Sequence, residues 1–117
     1  MIVFRTEVRD RMMVVDLQGV FKGDDAPSLL VDHLTRAACG GPLVVDLTGM
    51  TSVEGPAVLQ FVRGLEAEPA HGTILLHKDI AARRLLRSLS RSLPVVPDVE
   101  RARRGRFLQA NPVVTVG

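Results

Sequence analysis

The residues with the most distinctive chemical layout lie between a predicted strand and a predicted helix, in residues 51–56 (TSVEGP). The start of a helix presents free backbone N–H groups and a partial positive charge, so a hydroxyl there would suit phosphorylation. Thr51 and Ser52 supply hydroxyls, Glu54 supplies a carboxylate, and Pro56 supplies a fixed φ suited to a first helical turn. The residues alone leave two interpretations open, a regulatory site or a plain helix start.

Other reactive side chains are few and dispersed. His33, His71 and His77 fall in a predicted helix, a loop and a strand end, so their spacing does not predict a metal site. Cys39 lies near a helix end without a neighbouring base, and we interpret it as a small buried or half-buried residue. Sequence motifs of hydrolases, zinc proteases and phosphate-binding loops do not occur. The sequence therefore predicts no enzyme activity, no metal and no cofactor.

The composition is typical of one domain with an aliphatic core. The chain has 117 residues, 46% of them hydrophobic, with no Trp, no Tyr and four Phe. So few aromatic rings disfavour the base stacking that single-strand nucleic-acid binders use. The single cysteine indicates a reducing compartment, hence the cytoplasm. The sequence predicts no membrane span and no signal peptide, because its apolar runs are short.

Charge is distributed unevenly along the chain. Residues 1–82 carry seven Lys or Arg and eleven Asp or Glu, a net charge of −4, whereas residues 83–117 carry eight Arg and two acids, a net charge of +6. The basic part could meet an acidic protein, nucleic acid or a membrane surface, or could simply be a solvated helix face.

Hydrophobic periodicity predicts the element order β-β-α-β-α-β-α-β-α. Strands alternating with helices indicate an α/β domain with a small, mixed, mostly parallel sheet flanked by about four helices. A tight turn at Asp10-Arg11 would join the first two strands at one edge of the sheet. The predicted strands are 2–9, 12–17, 43–47, 73–77 and 93–96, and the predicted helices are 27–39, 56–66, 80–89 and 99–110. We expect one domain over residues 1–110 and a C-terminal tail over 111–117.

Caps and core faces follow from the same patterns. Asp25, Asp79 and Asp98 are the predicted N-terminal caps of the first, third and fourth helices. Glycines 40 and 41 are predicted to end the first helix. The residues predicted to face the core are Leu29, Leu30, His33, Leu34 and Ala37 in the first helix, Ala57, Val58, Phe61, Val62 and Leu65 in the second, and Ile80, Leu85, Leu86 and Leu89 in the third.

Residues 46–57 (DLTGMTSVEGPA) resemble the core of the STAS domain family, the anti-sigma-factor antagonists and their relatives. The family pattern is Asp-Leu-Ser-Gly-Val-Thr, an aromatic residue, then Ile-Asp-Ser-Ser-Gly, and it aligns here without a gap. Residues 14–19 (VVDLQG), 25–27 (DAP), 72–76 (GTILL) and 81–86 (AARRLL) resemble further parts of the family. The resemblance spans about residues 2 to 110.

The resemblance implies a non-enzymatic domain that binds protein partners through the edge near its second helix. In many members a partner kinase phosphorylates a serine at the start of that helix, which adds negative charge to the docking face and can release a partner. Here that serine aligns with Gly55 and the next serine with Pro56, so no phosphorylation is expected at either. The family aspartate aligns with Glu54, and an expected acidic residue aligns with Lys22. Ser52 is a secondary candidate for modification.

Three functions are carried forward. The leading hypothesis is a binding module for a regulatory protein, an anti-sigma factor or kinase-like factor, that acts in transcription or signalling. The second is an accessory subunit of an ABC lipid transporter that packs on the ATPase. The third is binding of nucleic acid or another anion by the Arg-rich C-terminal part. Separately, the exposed edge of the first strand could pair with a second copy to form a homodimer. The predicted partner-binding residues are Lys22, Thr51, Ser52, Glu54, Gly55, Pro56, Val58 and Leu59.

Overall fold

The fold is a five-stranded mixed sheet with helices on both faces. The computed structural model describes residues 2–22, 26–39, 41–67 and 72–104. The strands are β1 (Ile2–Arg9), β2 (Met12–Gly19), β3 (Leu43–Met50), β4 (Thr73–Leu76) and β5 (Val95–Val96). The helices are α1 (Pro27–Ala38), α2 (Pro56–Ala67), α3 (Ile80–Leu89) and a helical segment over residues 99–104, here α4. This order of elements confirms the predicted one.

The strands lie in the sheet in the order in which they occur in the chain. β1 and β2 pair antiparallel, and β2 to β5 pair parallel. Crossovers of one hand that always add the next strand on the same side place their helices on one face of the sheet. The main core has this arrangement, since it joins one face of the sheet to α1, α2 and α3. The strand order does not reverse, so the sheet lacks the switch-point crevice of doubly wound folds.

The opposite face of the sheet is covered less completely. A smaller cluster packs Met12, Val14, Val44 and Ile74 against Ala102 of α4. Beside it lies a groove of about 520 Å³ lined by charged residues of β1, including Arg5 and Arg9, and by Asp16 and Asp46. β3 is thus apolar on both faces at Leu43, Val44 and Val45, as its near-continuous hydrophobic run predicted.

The N-terminal hairpin has the predicted tight turn. Asp10 and Arg11 both adopt positive φ, 50° and 64°, which is the backbone of a type I′ turn. The turn sets Arg9 opposite Met12, and the ladder continues to Ile2 opposite Gly19. β2 and β3 both extend beyond their predicted ends, because a register shift between Asp16 and Gln18 lets pairing continue to Gly19 and Met50.

The predicted core faces of α1 and α3 are wrong in part. In α1 the buried residues are Pro27, Val31 and Leu34, whereas Leu29, His33 and Ala37 are exposed. In α3 the buried residues are Ala82 and Leu86, whereas Ile80 and Leu85 are exposed. Both helices carry apolar side chains on more than one face, so periodicity alone did not identify the face that packs. The predicted face of α2 is confirmed for its four large side chains, with Ala57 half-buried.

Two of the predicted caps are confirmed. Asp79 accepts a hydrogen bond of 2.9 Å from the Ala82 N–H, and Asp98 accepts one of 2.8 Å from the Arg101 N–H. In α1 the N-cap position is Ala26, which makes no side-chain cap bond, and Asp25 lies outside the described residues. Pro27 occupies the first helical position as predicted.

The C-terminal end of α1 differs from the prediction. Cys39, not a glycine, adopts the left-handed conformation that ends the helix, at φ 53°. Its thiol is exposed, which corrects the expectation of a buried or half-buried side chain. Residues 40 and 105–117, which include the second half of the predicted last helix and the predicted tail, lie outside the described residues. None of the helices in the described ranges combines the length and hydrophobicity of a membrane span.

Candidate functional site: the junction between β3 and α2

The loop between β3 and α2 is held by backbone bonds and two buried anchors. The Thr51 N–H donates to the Gly19 carbonyl at 2.8 Å, which ties the loop to the end of β2. The Ser52 hydroxyl accepts a 3.0 Å hydrogen bond from the Glu54 N–H, forming a local turn. Met50 and Val53 are buried on either side of these polar residues. The loop therefore presents Thr51, Ser52 and Glu54 outward from a fixed base.

The residues that carry the resemblance at the end of β3 have structural roles. Asp46 accepts a 2.9 Å bond from the Thr48 N–H, and the Thr48 hydroxyl accepts a 3.2 Å bond from the Lys78 N–H. Thr48 thus joins the ends of β3 and β4. A side chain at Gly49 would lie 2.8 Å from the Leu17 carbonyl, so only glycine fits against β2 there. The contacts of these residues stabilise the fold, and they do not by themselves form a reactive site.

Gly55 forms the start of α2. Its carbonyl accepts the first helical bond, 3.1 Å from the Leu59 N–H, and its φ is 103°. A Cβ at this position would meet open space, so the constraint on residue 55 is its backbone conformation. Pro56 follows as the first residue of the helix, as predicted. The position aligned with the family serine therefore has neither a hydroxyl nor a backbone that favours an L side chain.

The predicted partner-binding residues separate into exposed and buried ones. Lys22, Thr51, Ser52, Glu54, Gly55 and Pro56 are exposed, and Leu59 is half-buried. Val58 is 3% exposed and packs in the main core, beneath the exposed residues. Phe21 contacts Phe61 of α2, with ring centroids 5.7 Å apart, which brings the segment carrying Lys22 beside α2.

The start of α3 contributes residues that sequence reasoning did not assign to the site. A pocket of about 320 Å³ lies between the 50–54 loop and α3, and its α3 side is formed by Ala81, Ala82 and Leu85. Leu85, which was predicted to be buried, lines this pocket and is exposed. Ile80, also predicted to be buried, is exposed as well. The packed face of α3 could have been predicted from the Ala82–Leu86 pair, because residues at i and i+4 lie on the same face of a helix.

His77 closes the pocket at the end of β4. Its Nδ1 accepts a 3.0 Å bond from the Asp79 N–H, and its ring is buried. Burial lowers the pKa of His77 below its ordinary value of 6.5, against the carboxylates of Asp79 and Asp46, which raise it, and with the Arg83 charge, which lowers it. The imidazole is therefore neutral at neutral pH, with its proton on Nε2.

Much of the C-terminal arginine cluster is engaged within the protein. Arg83 donates to the His77 and Lys78 carbonyls at 2.9 Å each, and Arg87 donates to the Val95 carbonyl at 3.3 Å. Arg103 and Arg104 pair with Glu100 on α4. The ion pairs with Glu100 offset part of the positive charge of Arg103 and Arg104, whereas Arg83 and Arg87 are held by carbonyls and keep their charge. In the described part of the chain, His, Cys, Asp and Glu do not form a cluster that could hold a metal ion.

Comparison with known proteins identifies the fold. No protein-family model matches the chain, and no curated protein matches it significantly. A solved structure described as an anti-sigma factor antagonist from Mycobacterium paratuberculosis is 22% identical and superposes with a TM-score of 0.72. The match covers 92% of this chain and 95% of that one. The protein therefore has the STAS-like α/β fold that the resemblance of residues 46–57 predicted.

Proposed function

We propose that this protein is a binding module of the anti-sigma-factor-antagonist type that is not switched by phosphorylation at residue 55. The fold and its similarity to an anti-sigma factor antagonist support binding of a regulatory protein. The observation that carries the proposal is Gly55, which stands at the start of α2 where the resembled family has its phosphorylated serine. A phosphate would add about −1.5 to −2 charge to the docking face, and Gly55 cannot receive one.

The docking face in this proposal is the junction surface, defined as the exposed residues of the 51–56 segment together with Ala81 and Leu85 of α3. It combines apolar side chains with the carboxylate of Glu54. Such a surface fits a partner that offers an apolar pocket and a basic side chain beside it. Lys22 lies on the neighbouring segment, at the position where the resembled family has an acidic residue. A basic side chain of a partner would be attracted by that acidic residue but repelled by Lys22.

The role in this proposal is binding rather than catalysis. Ser52 accepts a hydrogen bond from the Glu54 N–H and so stabilises the loop, and His77 accepts one from the Asp79 N–H. Both groups thereby serve the shape of the junction surface. We place the module in the cytoplasm, in bacterial transcription or signalling, because a partner of the anti-sigma class acts there.

Binding and phosphorylation can be tested with the same proteins. Kinase-type anti-sigma factors from the source genome are purified, and their affinity for the full chain is measured by calorimetry with and without ATP. We expect one of them to bind equally under both conditions. Glu54→Lys should weaken that binding at least about tenfold, because it reverses the one carboxylate of the loop. Asp32→Lys on α1 applies the same charge change away from the junction surface and should leave the affinity unchanged.

Mass spectrometry of peptide 51–63 after incubation with ATP gives the second readout. The peptide should stay unmodified. Stoichiometric phosphate on it, at Ser52 for example, would refute the unswitched part of the proposal. If no anti-sigma factor binds, and tagged protein instead recovers an ATP-binding transporter subunit in mild detergent, the binding part is wrong and the accessory-subunit hypothesis replaces it.

A further inference from the structure

β1 is an edge strand whose outward backbone groups follow from the hairpin register. Val8 lies opposite Met13, and the Met13 N–H donates to the Pro42 carbonyl at 3.0 Å, away from β1. Val8 is therefore in a non-hydrogen-bonded pair of the hairpin, and its own N–H and C=O point to the free edge. Because this direction alternates, Phe4 and Thr6 also point their backbone groups outward. Among the described residues no strand pairs with this edge.

The side chains of β1 are complementary to those of a second, antiparallel copy when Thr6 lies opposite Thr6 of that copy, so that the two-fold axis passes between them. In that register Arg5 lies opposite Glu7 of the second copy, and Phe4 lies opposite Val8 of the second copy. The outward backbone groups then face each other, as an antiparallel ladder requires. Arg5 and Glu7 form a pair of opposite charge whose side chains approach closely, since it is a non-hydrogen-bonded pair. Two-fold symmetry repeats each contact.

Neighbouring registers are less favourable. A register centred one residue earlier, on Arg5, places Arg5 opposite Arg5 of the second copy. A register centred one residue later, on Glu7, places Glu7 opposite Glu7 and Arg5 opposite Arg9 of the second copy. Like charges directly opposite each other destabilise a pair of strands. In a register whose two-fold axis lies between two neighbouring residues, a residue with outward N–H and C=O groups faces a residue whose groups point toward β2. The hydrogen bonds between the two copies then cannot form. The sequence of β1 thus favours the Thr6-centred register over these neighbouring ones.

Exposed apolar residues accompany this edge. Val8 is 76% exposed and Phe4 37% exposed, and both face the side of the sheet that carries α1. The Phe4 ring contacts His33 of α1, with centroids 5.2 Å apart. Leu29 lies one turn before His33 on the same strip of α1 and is 69% exposed. A second copy across the edge would cover this strip, which accounts for apolar residues of α1 that the core does not use.

We propose that the protein forms a two-fold dimer in which β1 pairs antiparallel with β1 of a second copy, centred on Thr6, to make one continuous ten-stranded sheet. The occupant of the edge is a second copy because the strand is complementary to itself in charge and in apolar contacts. We expect a dimer that is joined mainly through one pair of strands to dissociate on dilution, because small interfaces are typical of weak complexes. This proposal is independent of the junction surface.

Charge swaps across the two-fold test the register. Sedimentation velocity and light scattering over about 1 to 500 µM should show concentration-dependent dimers of the wild-type chain. Arg5→Glu alone or Glu7→Arg alone should raise the dissociation constant at least about tenfold, because both symmetry-related pairs become repulsive. An equimolar mixture of the two single variants should recover association. In the mixed dimer the two substituted side chains face each other with opposite charge, and the unchanged Arg5 and Glu7 form the second pair. Arg84→Glu on α3 is the matched control and should dimerise normally.

Circular dichroism and a thermal melt of each variant confirm that the fold is retained, since Glu7 also pairs with Arg9 at 2.6 Å within one copy. A wild-type chain that stays monomeric at about 500 µM overturns the proposal. Dimers that survive both single swaps, or a mixture that fails to associate although both variants are folded, overturn the Thr6-centred register.

Discussion

At the scale of single residues, glycines decide what the junction can do. Gly49 makes room for β2, because a Cβ there would lie 2.8 Å from both the Leu17 carbonyl and the Gln18 side chain. Gly55 has open space instead and is selected by its positive φ. The two positions therefore resist substitution for different reasons. A larger residue at 49 displaces backbone, whereas one at 55 strains its own.

We predict that Gly55→Ala lowers the free energy of unfolding by about 1 kcal/mol, because an L side chain at positive φ is strained. Gly55→Asn should lose less, since Asn adopts positive φ more readily and can cap a helix start. Urea denaturation at neutral pH measures both. If Gly55→Ala is as stable as the wild type, the positive φ of residue 55 does not limit substitution. The backbone conformation then does not explain why this position holds glycine instead of serine.

Residue-level signals in the sequence were reliable where one local interaction decides the structure. Asp79 and Asp98 cap helices, Pro56 begins α2, and Asp10-Arg11 turns, all as predicted. Cys39 shows the opposite case. Glycines follow it directly, yet Cys39 itself takes the left-handed position and its thiol is exposed. The sequence could not predict this, because either residue can end a helix.

At the scale of elements, Glu66 joins α2 to the segment that precedes β5. Its Oε2 accepts bonds of 2.8 Å from the Arg91 N–H, 2.7 Å from the Ser92 N–H and 2.9 Å from the Ser92 hydroxyl. Its side chain is 11% exposed, and Arg63 lies 3.5 Å from Oε1. Burial raises the pKa of Glu66, but the bonds from Ser92 and Arg91 and the Arg63 charge outweigh it, so the pKa lies below its ordinary value.

Glu66→Gln should lower the free energy of unfolding at pH 7 by about 1.5–3 kcal/mol, because charge-assisted bonds to three donors become neutral ones. Glu100→Gln, a change on the exposed surface of α4, is the matched control and should have a much smaller effect. Urea denaturation with both variants makes the comparison. Equal effects of the two changes would contradict a special role for Glu66.

Helix faces were the part of the elements that the sequence predicted least well. α2 packs as predicted because its apolar residues form a single stripe. α1 and α3 also carry apolar residues outside their packed stripe, at Leu29, Ile80 and Leu85. Leu85 lines the pocket of the junction, and Leu29 lies one turn before His33, which contacts Phe4 of the edge strand. Their positions depend on neighbouring elements, which a helical period does not encode.

At the scale of the whole molecule, stability should fall with acid in two steps. The folded state lowers the pKa of His77, so the unfolded chain takes up that proton first, and stability is lost as pH falls below the ordinary value of 6.5. It also lowers the pKa of Glu66, so a second loss begins near the ordinary value of 4.5 and grows as pH falls. Both contributions are fully present above those values.

His77→Asn should remove the first step, because Asn keeps an acceptor for the Asp79 N–H but does not titrate. We expect the wild type to lose stability between about pH 7 and pH 5 and the variant to lose less over that interval, as measured by urea denaturation at several pH values. Parallel loss in both proteins would show that His77 does not cause the first step.

The architecture was predictable because strands and helices alternate, and the resemblance of residues 46–57 agreed with it. Strand order was not predictable, because local sequence does not say which strands become neighbours; with crossovers of one hand, the observed order places α1, α2 and α3 on one face of the sheet. The pocket between the 50–54 loop and α3 exists only once β3 and β4 lie side by side. The sequence accordingly directed attention to residues 51–56, whereas the pocket that they form with α3 is visible only in the structure.

Strand order also bears on how the chain is made. Each strand pairs with the strand just before it, so the sheet grows from the N-terminus in the order of synthesis. The β1–β2 hairpin closes through two residues and forms early, and each later unit docks on a finished strand. No strand has to wait for a partner translated much later. Once residue 67 has left the ribosome, the emerged chain contains β1, β2 and β3 together with α1 and α2, an order that suits folding during synthesis.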